Sequence, residues 1–343
     1  MECHMKAYRI FNWGESGRLV NDVPIPEPGA GQVRLKVVAN GICQSDLHLM
    51  REWKASPSHL KIELPMTIGH EPAGVVDKLG PGVEGIEIGT PMIVTIAGCG
   101  HCYYCAIGRN QYCLHKGKQV GMGLDGGNAE YMVAPADALV GAGEMELAEA
   151  APLSDAGLSS YHAIKRVEHL LVPGSRVAVI GIGGLGHMAL QILKATTNAH
   201  IIAYARSQHS LDFALELGAD EARNSTDAAS FEPMSVDVVL DFVGSAVTIA
   251  QSAGMIKPLG HIVVVGRGIG TFDFKHNAMP YGATISTTFG GSKFELMELI
   301  ALAERGVVKA HITKFSLDEV DEAYRLLEEG RIQGRGVIMP EKR

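Results

Sequence analysis

Four of the six cysteines fall within sixteen residues, Gly98 to Cys113, at Cys99, Cys102, Cys105 and Cys113. Two successive C-x2-C steps and a fourth thiol after a seven-residue loop can converge on one centre, so the spacing predicts a tetrahedral zinc site. Four thiolates leave no open coordination position, which makes that site structural. Unligated thiols clustered in a surface lobe would be an oxidation liability, and disulfides are disfavoured because no secretory signal precedes the lobe. A second concentration of chemistry lies in Cys43-Gln44-Ser45-Asp46-Leu47-His48, with a thiol, a hydroxyl, a carboxylate and an imidazole in six positions. Taken singly, Cys43 also reads as a small buried hydrophobe and His48 as a loop histidine. Next come His70 and Glu71, between Gly69 and Gly74, which permit close backbone approach. Asp155, where the chain from Ala151 enters a helix, is either a carboxylate favoured by the helix N-terminus or a ligand.

A different chemistry begins at Arg176. The apolar run Val177-Ala178-Val179-Ile180 leads into Gly181-Ile182-Gly183-Gly184-Leu185-Gly186, followed by helical spacing at Leu185, Met188, Ala189, Ile192 and Leu193. This is G-x-G-x-x-G in a strand-turn-helix setting. Gly181 makes the tight turn, Gly183 lets a pyrophosphate approach the backbone, and Gly186 lets helix and strand pack closely. The acidic residue expected about 20 positions on, to bind the adenosine ribose, is missing. Ala205, Arg206 and Ser207 stand at the end of the next strand instead. Without a carboxylate there is no repulsion toward a 2′-phosphate, and a guanidinium with a hydroxyl supplies charge-assisted bonds to it, so NADP(H) is expected over NAD(H). The alternative is a solvated arginine beside Ser207 as a helix N-cap, with NAD bound.

These groups need elements to hold them. Up to about Asp155 the pattern is of short strands and turns, with Val33 to Val37 alternating as a strand and Gly126 to Val133 as a turn entering another. Beyond it, strands at 176–180, 201–204, 236–241, 261–265 and 283–287 alternate with helices, which predicts a doubly wound parallel α/β sheet. A helix is expected near 294–305. Another is announced by Ser316-Leu317-Asp318-Glu319 as a capping box and stopped by Gly330, before a closing strand at 334–338. At 343 residues two domains are comfortable, and 46% hydrophobic against 20% charged residues is a globular profile. The net charge of -8 offers no field for nucleic acid, which sets aside a zinc-ribbon nucleic-acid binder. No apolar run is long enough to span a bilayer, and a cytoplasmic location is expected. The opening Met1-Glu2-Cys3-His4 is assigned no role.

Taken together, Cys43, Gly69-His70-Glu71, the cysteine lobe and the glycine motif resemble the zinc-dependent alcohol dehydrogenases of the medium-chain dehydrogenase/reductase family, above all bacterial secondary-alcohol dehydrogenases and carbonyl reductases. The resemblance covers essentially the whole chain from Lys6. It implies a GroES-like catalytic domain over residues 1–157, a Rossmann dinucleotide-binding domain over 158–289, and a C-terminal segment, 290–343, returning to the first. It further implies two zinc ions per chain, the catalytic one on Cys43, His70 and Asp155 with Glu71 as an alternative ligand. Ser45 and His48 would relay the alcohol proton, and Asp46 would hold the imidazole ligand. Cofactor contacts are implied at Gly181, Gly183, Gly184, Leu185, Gly186, Ala205, Arg206, Ser207, Val243, Gly266, Phe289 and Arg335, the last touching a phosphate. Gln44 stands where many relatives carry an arginine or histidine near the pyrophosphate, and Gly89-Thr90-Pro91 replaces a frequent Gly-Asp. The expected activity is reversible hydride transfer between an alcohol, secondary and aryl among the candidates, and NADP(H), in a homodimer or tetramer. Trp53 and Phe289 are candidate pocket walls. The alternatives are a polyol, threonine or formaldehyde dehydrogenase using NAD, and a cofactor-binding protein without catalysis.

Overall fold

A computed structural model of the chain describes residues 3–56 and 62–341. It divides into two compact units, one of 1–155, 291–304 and 310–343, the other of 156–290 and 305–309.

The first unit is built on the strand Gln32–Gly41, whose side chains alternate between buried and half-buried until both faces close over at its far end. It pairs antiparallel with Glu71–Leu79, with Tyr131–Pro135 and with Arg335–Met339. At the far end Gly41 lies opposite Glu71 on one side and Val337 on the other. Three segments distant in sequence therefore meet where the strand runs out into Ile42 and Cys43. A side chain at Gly41 would lie about on top of the Glu71 carboxylate, with its Cβ 2.0 Å from Oε2, so glycine is what allows that carboxylate to sit against the sheet. Beneath this end lies an apolar core of Tyr8, Ile10, Ile42, Met50, Ile68 and Ile338, joined by Val320 and Tyr324 from the helix Val320–Glu328. The capping box forms as the spacing predicts, with Glu319 Oε2 accepting from Ser316 N at 2.7 Å. The chain first makes a tight turn over Leu317–Glu319 before the regular helix starts.

The second unit holds six parallel strands in the order Glu221–Asn224, His200–Ala205, Arg176–Ile180, Val236–Asp241, Ile256–Val264 and Thr284–Thr287. Strands at its centre are buried on both faces, which is why Val177 to Ile180 read as an unbroken apolar run. The helices Gly186–Thr196, Gln208–Glu216 and Ala246–Met255 connect them. The strand expected at 261–265 starts earlier, at Ile256, because Pro258 and Gly260, which look like a turn, are carried by an irregular register against Val236–Asp241.

Candidate metal centres and cofactor edge

Cys43 lies two residues beyond the central strand and opens a short helix, Gln44–Leu47, as its N-cap residue. Asp46 folds back so that its Oδ2 accepts from Cys43 N at 2.9 Å, while its Oδ1 lies 2.9 Å from His70 Nδ1. His70 sits on the turn after Gly69, whose φ of +103° suits glycine. The other ring nitrogen, Nε2, is 3.5 Å from Asp155 Oδ2, and Cys43 Sγ is 3.7 Å from the same oxygen. Asp155 follows the tight turn Ala151–Ser154 and immediately precedes the helix Ala156–Lys165.

Those separations test whether zinc fits. With Zn–S of about 2.3 Å and Zn–N and Zn–O of about 2.1 Å, a tetrahedral ion sets S···O near 3.6 Å and N···O near 3.4 Å. The donor set of one thiol, one imidazole and one carboxylate meets both. Glu71 belongs to the same cluster, its ligand atom within 4.8 Å of the others. It is fully buried and accepts from the Arg335 guanidinium, through Nε at 3.1 Å and through a second nitrogen. That nitrogen also lies 3.3 Å from Asp155 Oδ2.

This placement corrects the expected phosphate contact at Arg335. The residue is 3% exposed at the start of its strand, and its guanidinium is committed to carboxylates of the metal cluster. Its charge has a visible effect. Burial pushes the Cys43 thiol up, but Arg335 and then His70 outweigh it and hold the thiol below its ordinary value. Burial likewise opposes a charge on His70, yet the Asp46 carboxylate, helped by Asp155, holds that imidazole well above the usual range. Ser45 Oγ donates to Cys43 Sγ at 3.0 Å, while His48 pairs with Glu52 one turn on, Nδ1 to Oε1 at 2.7 Å. Gln44 is turned away from the cluster, its amide donating to Leu327 O at 3.1 Å.

In the cysteine lobe, Cys102 Sγ lies 3.6 Å from Cys105 Sγ and 3.7 Å from Cys113 Sγ, and Cys99 and Cys105 are 4.0 Å apart. Sulfurs at the corners of a zinc tetrahedron stand about 3.8 Å apart, whereas a disulfide needs about 2.05 Å. The backbone N–H of Cys105 draws the Cys102 thiol down to about 6, toward the thiolate a metal requires.

In the second unit the expected cofactor residues all lie at the carboxyl edge of the parallel sheet, where open α/β sheets bind ligands. Gly181 follows Arg176–Ile180, Ala205 ends its strand with Arg206 exposed beyond it, and Val243, Gly266 and Phe289 follow Val236–Asp241, Ile256–Val264 and Thr284–Thr287. A Cβ at Gly186 would be 2.0 Å from Gly181 O, so the helix Gly186–Thr196 packs against the turn as closely as the motif requires. A Cβ at Gly183 meets nothing within 4 Å, leaving a cradle open at the helix N-terminus that suits a pyrophosphate. Ser207 caps the helix Gln208–Glu216, accepting from Ser210 N at 3.2 Å.

Comparison with known proteins identifies the family. The family described as "Alcohol dehydrogenase GroES-like domain" matches residues 29–144, and "Zinc-binding dehydrogenase" matches residues 184–305. The chain is 35% identical to the NAD-dependent alcohol dehydrogenase of Sulfolobus acidocaldarius, covering 97% of this chain and 99% of that one. Its fold is similar to the alcohol dehydrogenase of the hyperthermophilic archaeon Aeropyrum pernix, with a TM-score of 0.90, 32% identity and coverage of 98% and 100%. It is also similar to the acetophenone reductase of Geotrichum candidum, solved with NAD, with a TM-score of 0.88, 29% identity and coverage of 98% and 97%. The chain therefore belongs to the zinc-dependent alcohol dehydrogenases of the medium-chain dehydrogenase/reductase family. It is an alcohol dehydrogenase acting on small-molecule alcohols with zinc and a nicotinamide cofactor. Among the described residues no helix is long and apolar enough to cross a membrane.

Proposed function

We propose that this dehydrogenase interconverts secondary alcohols and ketones, aryl-substituted ones included, with NADP(H) as its preferred cofactor. The observation that carries the chemistry is the convergence of Cys43, His70 and Asp155 at tetrahedral separations, three ligands where four would close the site. When bound, zinc supplies Lewis acidity toward the alcohol or carbonyl oxygen. Ser45 Oγ, already directed at this cluster, takes the alcohol proton, and the half-buried His48 beside Glu52 hands it to solvent. A nicotinamide bound at the carboxyl edge of the parallel sheet would supply the hydride acceptor or donor for the alcohol carbon. The Cys99, Cys102, Cys105 and Cys113 centre takes no part in this, its four positions being filled by thiolates.

The cofactor preference rests on the end of the strand His200–Ala205, where an alanine and an exposed arginine replace the carboxylate that binds ribose hydroxyls. The NAD(H) reading has its own support, since the Sulfolobus relative is named NAD-dependent and the Ser207 hydroxyl is engaged as a cap. Arg206→Ala separates them. It is expected to raise KM for NADPH about tenfold or more, the worth of a charge-assisted bond, and to leave NADH within about twofold. Equal effects on both cofactors favour NAD(H).

For the substrate, support comes from the likeness to an acetophenone reductase. Trp53, the candidate pocket wall, closes the helical segment bearing His48 and packs with Trp13, 6.1 Å ring to ring, against the apolar core. A panel of aryl and alkyl ketones, polyols, threonine and formaldehyde tests it, and higher kcat/KM on any of the last three would overturn the secondary-alcohol reading. Assembly as a homo-oligomer, dimer or tetramer, completes the proposal, and light scattering decides its size.

A further inference from the structure

Behind the metal cluster runs a chain of polar side chains that the chemistry above leaves unused. Asn40 Nδ2 donates to Asn128 Oδ1 at 2.8 Å, Asn128 Nδ2 donates to Tyr324 Oη at 2.9 Å, and Tyr324 Oη donates to Asp46 Oδ2 at 3.2 Å. All four residues are at most 2% exposed. Their surroundings are apolar, with Tyr8, Ile10, Ile68 and Ile338 in the same core. Burying four polar groups there costs free energy that aliphatic side chains would not, so packing alone does not account for them.

The donors run one way. A carboxylate only accepts, so the Tyr324 hydroxyl gives its proton to Asp46 and its lone pair to the Asn128 amide, whose carbonyl accepts from Asn40. Asp46 then holds three donors on two oxygens, namely the Tyr324 hydroxyl, Cys43 N and His70 Nδ1. With only the last two, the carboxylate could swing about its own axis and carry the ring with it. The third donor fixes its plane, and a fixed acceptor at Nδ1 leaves Nε2 as the free nitrogen facing Cys43 and Asp155. The turn bearing His70 is tied to the same group from the other side, since Asn128 N donates to Ile68 O at 3.0 Å and Gly127 N to Gly69 O at 2.8 Å. A Cβ at Gly69 would stand 2.5 Å from Asn40 Nδ2, so the turn and the polar chain are in direct contact.

We propose that Tyr324, oriented by Asn128 and Asn40, is a positioning residue for the catalytic metal, acting through Asp46 on the ring plane and tautomer of His70. The proposal rests on the reading of Cys43, His70 and Asp155 as the ligands. The helix Val320–Glu328 thereby sets the geometry of a ligand more than 240 positions earlier in the chain.

The test is zinc release from purified, zinc-loaded protein to a chromophoric chelator, followed in time and counted in ions per chain. Wild type is expected to release two ions in two phases. Tyr324→Phe should speed one phase about tenfold, the lower end of what supporting partners of metal ligands contribute, and leave the cysteine-lobe phase unchanged. Tyr8→Phe is the matched control. Tyr8 lies in the same core, 6.1 Å ring to ring from Tyr324, but its hydroxyl donates to Asp321, so both phases should stay as in wild type. Asn128→Ala should act as Tyr324→Phe does but more weakly, and decides the matter by the same criterion where Tyr324→Phe is insoluble. Equal behaviour of Tyr324→Phe and Tyr8→Phe, or equal acceleration of both phases, overturns the proposal. One ion per wild-type chain overturns the ligand reading beneath it instead.

Discussion

Cys43 has an ordinary side chain in an uncommon setting: buried, accepting a hydrogen bond from Ser45, and set between an imidazole and a carboxylate that are drawn from other parts of the chain. Cys43→Ala is expected to lower zinc from two ions per chain to one and kcat about a thousandfold, roughly 4 kcal/mol of transition-state stabilisation. The Kd of the nicotinamide cofactor should stay unchanged, because its cradle lies in the other unit; metal analysis and cofactor titration check both. The residue types at 43, 45, 46, 70 and 71 were legible because thiols, imidazoles and carboxylates crowd into two short stretches. Arg335 was misread as a phosphate contact, since its partner Glu71 lies 264 positions away and no local spacing announces the pair. Arg335→Met would leave a fully buried carboxylate unpaired, at a cost of about 3–5 kcal/mol in denaturant melts. The double variant Glu71→Gln with Arg335→Met should recover more than half of that, because the uncompensated charge is gone. A single-variant cost below about 1 kcal/mol would mean that Glu71 finds another partner.

At the scale of elements, the parallel sheet was the most readable part, since strands buried on both faces become apolar runs and the glycine motif marks the first crossover. Strand ends in the first unit were not. Nothing in Glu71-Pro72 or Gly334-Arg335 says that both flank the far end of Gln32–Gly41, which only the register reveals. Asn40 and Asn128 escaped notice for a related reason, as asparagines near turns are usually just turn residues. The glycine motif allows a sharper test, because its members do different things. Gly186→Ala drives a methyl into a carbonyl of the preceding turn and is expected to cost about 1–3 kcal/mol in thermal stability. Gly183→Ala meets open space, so stability should hold within about 0.5 kcal/mol. Its methyl would instead occupy the phosphate cradle and raise the cofactor Kd about tenfold or more. Thermal melts beside cofactor titrations separate the two, and a Gly183→Ala protein with unchanged affinity would move the pyrophosphate elsewhere.

At the scale of the molecule, the two units differ in how the chain supplies them. Every strand of the parallel sheet comes from one continuous stretch, 176–287. The first unit is assembled from three pieces, and its last, 310–343, brings the strands Ile312–Ser316 and Arg335–Met339, the core residues Val320, Tyr324 and Ile338, and both Tyr324 and Arg335 toward the metal cluster. Composition does not mark that segment as a partner of the first 155 residues. The tie is made by pairing and burial across the whole length of the chain. A fragment of residues 156–290 is therefore expected to fold, with a cooperative thermal transition by circular dichroism, and to bind the nicotinamide cofactor within about tenfold of the full chain. Residues 1–155 alone should not fold. They would expose the side of the central strand that Arg335–Met339 covers, leave Glu71 without its guanidinium and Asp46 without the Tyr324 hydroxyl, and lack a wall of the core. Zinc added to that fragment should be taken up by the cysteine lobe, whose ligands all lie between 99 and 113, and not by Cys43 and His70, so one ion per fragment is the expected count. Two ions would show that the catalytic cluster assembles without the C-terminal helix and strand, and that their contribution is to stability rather than to the geometry of the site.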